Sequence, residues 1–130
     1  MSAGNPKITI TSTGSTNTAG FEVTLDGAES ATLHPQGDAA RQVKLNSSAI
    51  AEFANTVEAA GALHALPANH CMKSASLGSR LYVSRGTDRS PDLSCPEQSD
   101  TRAAAIKKQA EEILRAAQKA GGVHTGRKIY

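Results

Sequence analysis

Phe21-Glu22-Val23-Thr24-Leu25-Asp26-Gly27 alternates apolar and polar side chains for five residues and then meets a pair that tolerates turn geometry. Period-2 alternation marks a strand buried on one face, and Asp-Gly after such a run is a strong hairpin signal. A returning strand is therefore expected from Glu29 to Leu33. Upstream, Lys7-Ile8-Thr9-Ile10-Thr11 repeats the alternation, with Ile8 and Ile10 expected to face the core. The small polar residues from Ser12 to Gly20 read as an exposed loop. Downstream, His34-Pro35-Gln36-Gly37-Asp38 is expected to break the ladder before a further short strand at Gln42-Val43-Lys44-Leu45. The first 45 residues thus describe a three- or four-stranded antiparallel meander.

Beyond Leu45 the apolar period changes from two to that of a helix. Ile50, Phe53, Val57 and Ala60 recur on one helical face, Asn46, Ser47 or Ser48 is placed to cap it, and Gly61 to end it. Leu63-His64-Ala65-Leu66-Pro67 reads as a connection. Leu77, Leu81 and Val83 then predict one or two more strands, with a turn at Arg85-Gly86-Thr87-Asp88. The last element is a helix from Thr101 to about Lys119, capped by Ser99 or Asp100 and striped by Ile106, Ala110, Ile113, Leu114 and Ala117. Glu111 stands four residues before Arg115, the favourable order for a helical ion pair, and Gly121-Gly122 ends the run.

The order strands, helix, strands, helix predicts an α+β class, an antiparallel sheet of about four to six strands with two helices packed on one face. Residues 1–122 read as one domain and 123–130 as a flexible tail. In this element order the chain resembles small exported bacterial α+β domains of unknown function. The resemblance is carried by the strand Phe21 to Leu25, its Asp26-Gly27 turn, the central helix, and the close on a strand and a final helix. It implies a fold and an extracytoplasmic address, and no activity.

With 130 residues, 38% hydrophobic and only 3% aromatic, the core must be aliphatic and thin. A net charge of +2 is too small to imply a polyanion, and there are almost no rings on which bases could stack, so nucleic acid is not an expected partner. No apolar run is long enough for a membrane span, and no signal peptide opens the chain. An exported protein is compatible with that opening if Met1-Ser2-Ala3-Gly4 replaces a removed leader.

Cys71 and Cys95 are the whole cysteine content and admit three readings. A disulfide places the protein in the periplasm or outside the cell and staples the loop between them, worth about 3.5 kcal/mol in the chain-entropy account. A metal site would need His64, His70, Cys71 and Cys95, but adjacent His70 and Cys71 diverge in an extended chain. Free thiols are the third reading, and a nucleophilic Cys71 would need a positioned base and an oxyanion hole.

Ser74, Ser76, Ser79, Ser84, Ser90 and Ser94 lie outside any Gly-x-Ser-x-Gly or Ser-x-x-Lys pattern, and the histidines form no His-Glu-x-x-His pair. No catalytic residue, cofactor or metal site is therefore assigned. Asn46-Ser47-Ser48 matches a glycosylation acceptor, yet Asn46 has a cap role to play. Lys73, Arg80, Arg85 and Arg89 are opposed in their window only by Asp88, and form a possible docking patch for an acidic protein surface or envelope component. The expected role is a non-enzymatic binding domain acting through residues 70–95, stiffened by Pro91. A small hydrolase or transferase whose site forms only in three dimensions, and a structural domain of an envelope assembly, are the alternatives.

Overall fold

In a computed structural model of the chain, the structure describes residues 7–13, 20–27, 29–35, 39–66, 80–93 and 100–121. Cys71, Cys95, His70, Lys73 and the expected tail lie outside these residues, so the cysteine readings are neither met nor opposed by the fold.

Four strands come first: β1 (Ile8–Ser12), β2 (Phe21–Leu25), β3 (Ser30–Pro35) and β4 (Arg41–Lys44). The helix α1 (Ser47–Ala60), a short 3-10 turn η1 (Leu63–Ala65), β5 (Leu81–Arg85), β6 (Asp88–Arg89) and α2 (Thr101–Gly121) follow. The strands form one antiparallel sheet in the order β4-β3-β2-β1-β5-β6. The predicted α+β class is what the chain adopts, with four strands in the meander and both helices on one side.

Alternation decides that one-sidedness. Ile10, Val23, Leu33 and Val83 are fully buried on one face, and Phe21, Leu25, Ala31 and Val43 join them. Onto this face pack Phe53 and Val57 of α1 and Ala103, Ile106, Ala110 and Ala117 of α2, all fully buried. Helix α2 lies over β3 and β4 and against α1, and alanines on its stripe allow the close approach. Asn46 caps α1 through its Oδ1, which accepts from the Ser48 and Ala49 amides. Asp100 does the same for α2 with the Arg102 and Ala103 amides. Arg102 also donates to Asp100 and to the Ala60 carbonyl, tying the start of α2 to the end of α1.

Three local expectations need correcting. The Asp26-Gly27 hairpin is not a two-residue turn, because the Asp26 amide still donates to the Ser30 carbonyl and the connection lies between those residues. Its carboxylate is engaged by Lys7 and by the Thr32 hydroxyl, which holds Asp26 in the ladder. Second, β3 runs through His34 to Pro35, opposite Phe21. β4 accompanies β3 only as far as Leu33, so Pro35 sits at a strand end with a neighbour on one side, where a missing N–H is tolerated. Third, Glu111 pairs back to Lys107 at 3.1 Å.

These glycines separate cleanly by test. Gly61 has φ 77° and ψ −138°, a region closed to side-chain-bearing residues, although a Cβ there would meet nothing within 4 Å. Gly61→Ala is expected to cost about 1–3 kcal/mol from backbone strain alone. Gly27 lacks a positive φ, and its added Cβ would meet only the rotatable Ser30 hydroxyl at 3.2 Å. Gly27→Ala is expected within about 0.5 kcal/mol of wild type. Urea denaturation of the two variants checks this, and equal losses would refute the backbone strain assigned to Gly61.

Candidate binding face

Among the described residues no helix packs on the second face of the sheet. Through the strand registers, Gln42, Thr32, Thr24, Thr9, Ser84 and Arg89 stand in one row across all six strands. A parallel row runs His34, Glu22, Thr11, Tyr82. Strand neighbours sit about 4.8 Å apart, so the hydroxyls meet in pairs. Thr9 and Thr24 hydroxyls are 3.1 Å apart, Gln42 Nε2 donates to the Thr32 hydroxyl at 2.8 Å, and the Thr11 hydroxyl donates to Glu22 at 3.2 Å.

At the β5–β6 end this face becomes basic and aromatic. The turn that makes it so is two residues long: Arg85 pairs with Asp88, and Gly86 between them has φ 63°. Glycine first in a two-residue hairpin is the type II′ requirement. That register sets Arg89 opposite Ser84 and diagonal to Tyr82, and the Arg89 guanidinium lies over the Tyr82 ring at 4.2 Å. No carboxylate of a described residue pairs with Arg89.

Arg80 extends the same ladder, since its carbonyl accepts from the Thr13 amide and its own amide donates to the Thr13 hydroxyl. It shares the parity of Tyr82 and so belongs to the open face, with a loose contact to Asp92 at 4.0 Å. Arg85 has the parity of buried Leu81 and Val83 and belongs to the helix-bearing side. Of the four cations expected to act together, Arg80 and Arg89 therefore share a face, Arg85 does not, and Lys73 is outside the described residues. Tyr82 was not among the expected residues, and the Arg85-to-Asp88 turn was the signal that points to it.

The free edge of β5 is closed by residues 90–93. The Ser90 hydroxyl accepts from the Val83 amide at 3.0 Å and donates to the Pro91 carbonyl, and Asp92 accepts from the Leu81 amide at 3.0 Å. Side chains thus take the place of strand carbonyls, which is why Ser90 is buried yet satisfied.

A second cluster lies on the helix-bearing side. Asp88 accepts from the amides of Leu63 at 2.7 Å and His64 at 2.8 Å, and its Oδ1 is 2.7 Å from His64 Nδ1. It caps η1 from β6, twenty-odd residues away, which sequence spacing does not reveal. The Leu63 amide first, then the His64 amide, hold the Asp88 carboxyl at about 2, below its ordinary 3.8. The His64 side chain is 73% exposed. A histidine oriented by a carboxylate resembles half of a nucleophile-activating pair, but no hydroxyl of a described residue hydrogen-bonds to its other nitrogen. The described residues hold no group of three or more metal-ligating side chains.

The low value predicts an acid-sensitive tether. A carboxyl whose folded pKa lies below its unfolded one contributes stability that is complete above the unfolded pKa and lost as pH falls through the folded one. The thermal midpoint of Asp88→Asn should therefore lie below wild type near pH 5, and the gap should close as pH falls from about 4 towards 2. A gap that stays constant over this range would exclude the tether.

Compared with protein families, with curated proteins and with solved structures, the chain finds no match in any of the three. The site is therefore interpreted from its own chemistry. Among the described residues no helix is long and apolar enough to cross a membrane.

Proposed function

We propose that this is a non-enzymatic binding domain that docks an acidic protein surface on the open face of its sheet, with Arg80 and Arg89 as anchors. The observation that carries the reading is the Arg89 guanidinium, which lies 4.2 Å from the centre of the Tyr82 ring and is unpaired by any carboxylate of a described residue. An arginine that already rests against a ring loses less freedom on binding, and its fork matches a carboxylate in pairs. Arginine and tyrosine are also the residue types that dominate binding energy at interfaces.

An extracytoplasmic address and a Cys71–Cys95 bridge belong to the same proposal. Both rest on the sequence, and the bridge would join the segment before Arg80 to the segment after Leu93, bracketing the β5–β6 hairpin. A hydrolase is the second reading, favoured by the His64–Asp88 pair alone. Against it, that carboxylate is already occupied by two amides.

Fluorescence anisotropy with a labelled Glu- and Asp-rich peptide tests the proposal. Affinity is expected to fall with added salt and by about tenfold in Arg89→Ala. Peptide binding that ignores both salt and Arg89 would refute it.

A further inference from the structure

Strand β4 is an outer strand of the sheet, with β3 on one side only. In an antiparallel ladder successive residues turn their backbone groups alternately towards the neighbouring strand and away from it. The Leu45 amide donates to the Glu29 carbonyl at 2.7 Å, so Val43 and Arg41 also face β3, and Gln42 and Lys44 face outward. The two amides and two carbonyls of that outward pair meet no described residue, and such a row is a template for a further strand. We propose that this edge pairs with the same edge of a second copy of the chain, antiparallel about a two-fold axis.

Side chains select both the occupant and the register. Gln42 and Lys44 share the open face and are exposed. Gln42 spends its Nε2 on the Thr32 hydroxyl at 2.8 Å, which leaves its Oε1 as an acceptor. Lys44 is a donor on a side chain that is 82% exposed and held by Glu29 only at 3.8 Å. With Gln42 set opposite Lys44 of the second copy, each ammonium meets a glutamine oxygen, and the two-fold axis makes the match twice. Four backbone hydrogen bonds form in this register, Val43 lies across from its own counterpart, and Arg41 faces Leu45, so no two cations stand directly opposed. One step of slippage sets Lys44 against Lys44 or Gln42 against Gln42, and the match is lost. A foreign strand would have to bring this donor and acceptor pattern with it, whereas β4 already carries it.

The far edge explains why pairing stops at two copies. Beyond β6 the chain stays beside β5, where the Ser90 amide donates to the Val83 carbonyl and the Leu93 amide to the Leu81 carbonyl. Between them Pro91 has no amide, and its carbonyl already accepts from the Ser90 hydroxyl. One edge is thus blunted and one is open, which favours a closed two-fold pair over a growing ribbon.

Sedimentation equilibrium of the whole chain from about 10 μM to about 1 mM tests the proposal, a range suited to an interface as small as one short strand pair. A monomer–dimer equilibrium is expected. Gln42→Lys opposes two cations at both symmetric positions and should weaken it about tenfold, whereas Gln42→Lys combined with Lys44→Gln exchanges donor and acceptor and should return it to within about threefold of wild type. Gln42→Pro deletes an outward amide that β3 does not use and should also weaken pairing by about tenfold or more. Amide spectra of the variants verify their folds. Because the acidic-partner anchors lie at the other end of the sheet, Arg80→Glu with Arg89→Glu should leave the equilibrium within about twofold of wild type. A monomer throughout the range, a dimer indifferent to Gln42→Lys or Gln42→Pro, a double exchange that fails to restore pairing, loss of the dimer with the Arg80 and Arg89 changes, or growth beyond two copies would each overturn the proposal.

Discussion

Phe53→Ala is expected to destabilise the protein by about 3–5 kcal/mol, the typical cost of emptying a fully buried aromatic site. Small domains have a total stability of about 5–15 kcal/mol, so this single change should remove a third or more of it. Phe53 is completely buried, and Phe21 is the other phenylalanine in the core. The α2 stripe in the same core is rich in short side chains, with Ala103, Ala110 and Ala117 fully buried, so the core has little length with which to refill an emptied site. Phe53→Leu keeps most of the volume and should cost clearly less. Urea denaturation measures both. A Phe53→Ala loss below about 1 kcal/mol would mean that the two helices do not share the core described here.

Reversing both anchors, Arg80→Glu with Arg89→Glu, is expected to weaken binding of an acidic peptide by about 100-fold or more, since loss of the Arg89 side chain alone costs about tenfold. Each substitution removes an attractive charge and adds a repulsive one, and neither side chain supports the core: Arg80 is 62% exposed, and Arg89 is exposed on its strand. The thermal midpoint should therefore barely move. Tyr82→Leu separates orientation from charge. It keeps both arginines but removes the ring beneath Arg89, and should cost less affinity than Arg89→Ala. Equal affinity in the double variant and wild type would remove the basic end of this face from any role in binding.

Much of the architecture was legible because it follows from period alone. The alternation of Ile8, Ile10, Val23 and Leu25 and the helical spacing of Ile50, Phe53 and Val57 identify elements and buried faces without any knowledge of partners. Where expectation and structure part, a tertiary or side-chain partner decides. Asp26 stays in the ladder because Lys7 and Thr32 hold it, and Pro35 is accepted because β4 stops short. Glu111 turns to Lys107, whose side chain is only 18% exposed, instead of to Arg115.

The working face was half legible. Arg80 and Arg89 were recognisable as an excess of charge, but charge counted along a chain does not say which face a residue occupies, and Arg85 shows the difference. Tyr82 acquires its meaning only through the cross-strand register. Likewise Asp88 looked like the lone counter-charge of a basic window, whereas it is the cap of η1.

The most direct test is an amide chemical-shift titration of the ¹⁵N-labelled chain with the acidic peptide. The largest perturbations should fall on Arg80 to Ser84, Asp88 to Ser90 and their β1 neighbours Thr11 to Thr13, with the exposed sides of α1 and α2 unchanged. Perturbations centred on the helices, or spread evenly over the molecule, would contradict the assignment of the open sheet face as the binding surface.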